Sequence, residues 1–86
     1  MVASGPAVPL VNALRDRAAA IRTAEMEKAR RRLGRLRPEQ EQALEALAAG
    51  IVDQILRAPT AALSEMASEG RVEANVPLLR SVLGLA

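Results

Sequence analysis

The sequence predicts an all-α protein. A long N-terminal helix is followed by a helical hairpin and short C-terminal helices, forming a helical bundle shared between two copies as a homodimer. Three observations predict this. Large aliphatics recur every three or four residues from Leu44 to Leu56, the repeat of a helix with one apolar face. An alanine-rich stretch after Pro9 runs for more than twenty residues without another proline. The 86 residues contain no Phe, Trp or Tyr, so a core made by one chain alone has little to bury.

Residues 1–8 are small and include Gly5 and Pro6, and read as a flexible linker or an added start. The long helix is expected over 9–36. At ~1.5 Å per residue it would reach about 38 Å. A compact chain of this length has a radius of gyration near 12 Å, so the helix is expected to project from the globule. Its apolar stripe shifts along its length. Leu10, Leu14, Ala18 and Ile21 share one face, while Met26, Ala29, Leu33 and Leu36 lie about a quarter turn round at ~100° per residue. Two partners are therefore expected: the second helix for the C-terminal half, and something outside this chain for the N-terminal half. Glu27 and Arg31 stand at i,i+4 in the favourable order for an ion pair.

The central helix is expected over 38–57. Pro38 suits its first position, where a missing N–H costs nothing. Glu39 and Glu41 meet the positive end of the helix dipole. Pro59 marks the expected stop, because it biases Ala58 away from helical backbone. The short connection at 34–37 makes the first two helices antiparallel neighbours. A short third helix is expected over 60–69, ended by Gly70. A terminal helix over 75–85 would take Asn75 as its N-cap.

Composition excludes much chemistry. There is no cysteine and no histidine, hence no thiolate site and no imidazole base or ligand. Without aromatics the chain cannot stack bases as single-strand binders do. The net charge is only +2. The pI of about 10.4 reflects arginine-rich cations with nothing titrating between them and the carboxylates. No apolar run reaches the ~18 residues of a membrane span. The N-terminus lacks the basic segment of a signal peptide. A cytoplasmic protein with no membrane partner is expected.

Few polar features suggest a site. The run Lys28, Arg30, Arg31, Arg32, Arg35 and Arg37 is either a phosphate-contacting surface or a solvated helix face. Consecutive arginines point in different directions and Glu25 and Glu27 lie close by, which favours the solvated face. A small helical RNA-binding or adaptor module using Lys28–Arg37 remains the alternative function. Glu39, Glu41 and Glu45 have no histidine or second acidic cluster to complete an acid–base or metal site. Ser64 and Ser68 have no base to activate them. No catalytic, cofactor-binding or metal-binding residue is expected in this stretch. The aliphatic faces remain. Leu44, Leu47, Ile51, Val52, Ile55, Leu56, Leu63, Leu79, Val82 and Leu83 are the expected dimer interface and core. Each large aliphatic contributes ~1.5–3 kcal/mol when fully buried, and ordering each residue costs ~1.5 kcal/mol. Sharing faces with a second copy adds burial without adding chain.

These elements, in this order, resemble the C-terminal dimerization domain of glutamyl-tRNA reductases. Pro9-Leu10-Val11-Asn12-Ala13-Leu14-Arg15 is similar to the start of the family's long spinal helix. Ile21-Arg22 with Ala24-Glu25-Met26 is similar to its Ile-Arg-x-x-Glu-Leu segment, and Leu33 and Leu36 to the leucines before its second helix. Leu44, Leu47 and Ile51-Val52-Asp53-Gln54-Ile55-Leu56-Arg57-Ala58-Pro59 resemble its Ile-Val-Asn-Lys-Leu-Leu-His-x-Pro block, followed by Leu63. Leu79, Val82, Leu83 and Leu85 resemble its terminal helix. Gln54 stands where Lys is common, Arg57 where His is common, and Val82-Leu83 where Leu-Phe often closes the chain. No departure breaks a helix, but roles particular to that Lys or His do not transfer.

The resemblance implies a parent oxidoreductase. That enzyme reduces glutamyl-tRNA to glutamate-1-semialdehyde with NADPH, on the route to tetrapyrroles such as haem (porphyrin biosynthesis). Its cysteine nucleophile and its NADPH site lie in other domains, so no catalysis and no cofactor are expected in this fragment. The domain joins two V-shaped subunits, with glutamate-1-semialdehyde aminomutase as a docking partner of the parent dimer. The first helix would be the stalk to the missing domains, leaving Leu10, Leu14 and Ile21 partly orphaned.

Overall fold

The computed structural model describes residue 5 and residues 7–85. Three helices follow one another: α1 over Ala7–Leu33, α2 over Pro38–Ser68 and α3 over Val72–Val82. The chain is all-helical, as the periodicity predicts. The linker expected over 1–8 falls mostly outside the described residues; Ala7 and Val8 already belong to α1.

α1 starts two residues before Pro9, which is tolerated because a first-turn N–H has no partner inside its helix. The helix stops at Leu33 rather than Leu36. Gly34 takes the left-handed conformation at φ +75°, and its N–H donates to the Arg30 carbonyl at 2.9 Å. That is the αL cap, which glycine reaches without the Cβ penalty.

The expected break at Pro59 is absent. α2 runs unbroken for 31 residues, with Pro59 inside it. The expected third helix over 60–69 is the last part of α2. Proline in a helix interior costs ~3 kcal/mol, by losing one backbone hydrogen bond and crowding the preceding turn. Burial beyond it offsets that cost. Leu56 and Leu63 are one heptad apart on the same buried face, and only an unbroken helix keeps them in register. Gly70 (φ +70°) then ends α2. The Gly70 N–H donates to Ala67 O at 3.1 Å and the Arg71 N–H to Met66 O at 2.9 Å, the Schellman pattern.

α3 begins at Val72 instead of Asn75, because the chain re-enters helix directly after that turn. Asn75 is therefore not an N-cap: its side-chain amide donates back to the Arg71 carbonyl at 2.7 Å. Beyond α3 the Leu85 N–H donates to Arg80 O at 2.7 Å, and Arg80 Nη2 donates to Leu85 O at 2.7 Å. These bonds fold the chain end inward and bury Leu85.

Because α2 does not break, it returns along the whole of α1. The molecule measures 50 × 27 × 15 Å with a radius of gyration of 16.0 Å, against ~12 Å for a compact chain of this length. It is an elongated plate rather than a globule with a projecting stalk. The core sits at the end where α1 starts and α2 finishes: Ala7, Leu10, Val11, Leu63, Val72 and Leu85 are buried together. Leu14, Met66, Val76, Leu79 and Leu83 pack around them. This corrects the expectation for the N-terminal half of α1. Leu10, expected to be partly orphaned, is only 2% exposed and belongs to the core. Ile21 remains half exposed.

Candidate functional site

Away from the three-helix core, α1 and α2 lie side by side, and no further helix among the described residues covers them. Helix packing buries only the stripe that each turns to the other. α2 has more apolar surface than one stripe. Ile51 lies about a third of a turn from Leu56 and Leu63 at ~100° per residue, so a chain that buries Leu56 and Leu63 leaves Ile51 facing out. Leu47, Ile51 and Ile55 are 61%, 51% and 66% exposed. They form a ridge along α2 at i, i+4, i+8 spacing.

The ridge borders a groove of about 340 Å³ between the two helices. Ile21, Met26 and Ala29 line it from α1, and Leu44, Leu47, Ala48, Ile51, Val52 and Ile55 from α2. Its only charged lining residues are Arg22 and Glu25, at the α1 side. On its other flank the ridge borders a second shallow apolar hollow over Gly50, formed with Ala46 and Gln54.

The ten residues expected to form interface or core thus divide. Leu56 and Leu63 are buried inside the chain, while Leu44, Val52, Leu79 and Leu83 are half-buried. Leu47, Ile51, Ile55 and Val82 point outward. Ala7, Val11, Val72 and Leu85 form core without having been expected there. For Val72 and Leu85 the sequence signal was weak, because the turns at Gly70 and Gly84 place them. Leu33, expected to pack on the second helix, is instead 61% exposed where α1 ends, and Leu78 is an exposed apolar residue that was missed.

The charged residues do not assemble a site. Arg30 Nε donates to Glu41 Oε1 at 2.8 Å and Arg30 Nη2 to Glu41 Oε2 at 3.0 Å, a two-bonded clasp between the end of α1 and the start of α2. These hydrogen bonds hold the Glu41 carboxyl below its ordinary value near 4.5 and push Arg30 further above its ordinary value. Lys28 pairs with Glu25 at 2.9 Å and Arg37 with Glu39 at 3.3 Å. Glu27 and Arg31 form no ion pair among the described residues. The basic run is thereby broken up, with Arg31, Arg32 and Arg35 left exposed in different directions. Among the described residues, no group of three or more acidic side chains is gathered as a metal site would need. No helix there is long and apolar enough to cross a membrane.

The comparisons with known proteins point one way. The family described as the dimerisation domain of glutamyl-tRNAGlu reductase matches residues 2–85. Glutamyl-tRNA reductase 2 of Koribacter versatilis is 35% identical over 78 residues, covering 91% of this chain and 18% of that protein. Glutamyl-tRNA reductase of Chloroflexus aurantiacus is 37% identical over 79 residues, covering 92% and 18%. Glutamyl-tRNA reductase 2 of Anaeromyxobacter sp. is 47% identical over 64 residues, covering 74% and 15%. The chain spans less than a fifth of the length of these relatives. No solved structure gives a significant match. Nothing in the geometry or in these likenesses favours the RNA-binding alternative.

Proposed function

From the premise that the chain belongs to the glutamyl-tRNA reductase dimerisation-domain family, we propose that it binds a second copy of itself and so holds two reductase chains together. The observation that carries this reading is the outward ridge Leu47, Ile51 and Ile55, on a plate too thin to cover it. Water contact along such a ridge is unfavourable by ~25 cal/mol per Å² of apolar surface. A symmetric partner presents the same surface and removes both ridges from water. In the resulting dimer, Leu44, Leu47, Ile51, Val52 and Ile55 contribute to the shared face. Leu56 and Leu63 hold α2 to its own α1, and Leu79, Val82 and Leu83 belong to the α3 end.

The rest of the reading concerns the parent protein. It is a cytoplasmic oxidoreductase that takes glutamyl-tRNA and NADPH to glutamate-1-semialdehyde in tetrapyrrole synthesis. Its chemistry lies in the parts of the relatives that this chain does not span. Pairing at this domain sets the spacing of two active units and the surface offered to glutamate-1-semialdehyde aminomutase.

Sedimentation equilibrium at micromolar concentration tests the central claim. The expected mass is twice the 9.1 kDa of one chain. A species of one chain's mass that keeps its helical circular dichroism would overturn it.

A further inference from the structure

The dimer reading leaves open which face meets which, and the register of the hairpin narrows the choice. The Arg30–Glu41 clasp places those two residues opposite each other. Nine residues back along α1 and ten onward along α2 bring Ile21 level with Ile51, within ~1.5 Å of helix rise. Both line the same groove, and both are about half exposed.

Resting on the proposal that the chain dimerises, we infer that the two-fold axis passes through the groove face at the level of Ile21 and Ile51, so that two plates stack into a four-helix layer with the α2 helices antiparallel. Ile51 then meets Ile51 of the second copy, and Leu47 meets Ile55 of the second copy. The alternative parallel pairing sets the acidic first turns of both α2 helices, Glu39 and Glu41, side by side. The antiparallel one keeps them tens of ångströms apart and opposes the helix dipoles.

The area is sufficient. The chain exposes 6178 Å², whereas a compact monomer of 9.1 kDa exposes about 4,900 Å². The excess is above the ~800 Å² per partner of a standard interface. The rim also fits a two-fold pairing, since Arg22 and Glu25 supply one charge of each sign. The other exposed apolar pair, Leu78 and Val82 on α3, stands on an eleven-residue helix, a shorter surface than the ridge of α2.

The chain has no cysteine, so single-cysteine variants report proximity without background. Ile51→Cys is expected to oxidise into a covalent dimer for most of the chain, while Glu39→Cys and Val82→Cys are expected to give little. Ile21→Glu is expected to weaken dimerisation at least ~100-fold in a sedimentation dilution series while keeping the helical signal, as a half-exposed site in the single chain allows. A dimer that cross-links through Val82→Cys or Glu39→Cys but not through Ile51→Cys overturns this face and leaves dimerisation standing. A dimer indifferent to Ile21→Glu moves the contact to the outer edge of α2 over Gly50, and overturns it likewise. A parent chain that is monomeric before any substitution overturns the dimer reading itself.

Discussion

Arg30 and Glu41 join the end of α1 to the start of α2 through two near-parallel hydrogen bonds, Nε to Oε1 at 2.8 Å and Nη2 to Oε2 at 3.0 Å. The fork of the guanidinium matches the two carboxylate oxygens, which makes the contact directional as well as charged. It lies on the far side of the hairpin from the hydrophobic core. It is therefore the polar counterpart of that core, fixing the two helices at the connection.

The pH dependence of this clasp has a definite sign. Glu41 is held below its ordinary value near 4.5 in the folded chain. Its contribution is present above that value and is lost as the pH falls through the lower, folded-state value. Glu41→Gln is expected to lower the urea midpoint at pH 7, and the gap from the parent is expected to close in acid below pH 4.5. Urea titrations at a series of pH values check this; a gap that stays constant into acid would show that the carboxylate charge is not involved.

Ile51→Asp separates interface from core. The amphipathic pattern alone places Ile51 at the centre of the buried face, so that an aspartate there would destroy dimer and helicity together. With Ile51 51% exposed on the single chain, the charge is solvated in the monomer and buried only at a partner. The expected outcome is loss of the dimer with most of the helical signal retained, read by sedimentation and circular dichroism on one sample.

Leu63→Ala and Leu78→Ala should differ sharply. Leu63 is 3% exposed within the three-helix core, and truncating a buried leucine costs about 2–5 kcal/mol. Leu78 faces outward, where substitutions stay within about 0.5 kcal/mol. Denaturant unfolding at matched protein concentration measures both, and equal losses would contradict the placement of the core.

Pro59→Ala should stabilise the chain. α2 is continuous through Pro59, so restoring the backbone N–H recovers a helical hydrogen bond and removes a ring clash, a gain of about 1–3 kcal/mol. Thermal unfolding reads it as a raised midpoint. A lowered midpoint would mean that the proline ring's own packing outweighs the backbone term.

The sequence by itself determined that the protein is helical, where α2 begins and that the chain turns at Gly34 and Gly70, because periodicity and capping are local. The Ile51-to-Pro59 block likewise pointed to the family through residues adjacent in the chain. Three things were decided by tertiary structure. Whether Pro59 ends a helix depends on what lies beyond it, and only the burial of Leu63 against Leu10 and Val72 outweighs the lost hydrogen bond. Whether Leu10 is orphaned depends on how far α2 reaches back, which follows from that same continuity. Which side of α2 is left over could not be read from a wide apolar face, since Ile51 and Leu56 look alike in sequence. Packing against α1 took Leu56 inward and left Leu47, Ile51 and Ile55 outside, because one helix can cover only one stripe of another.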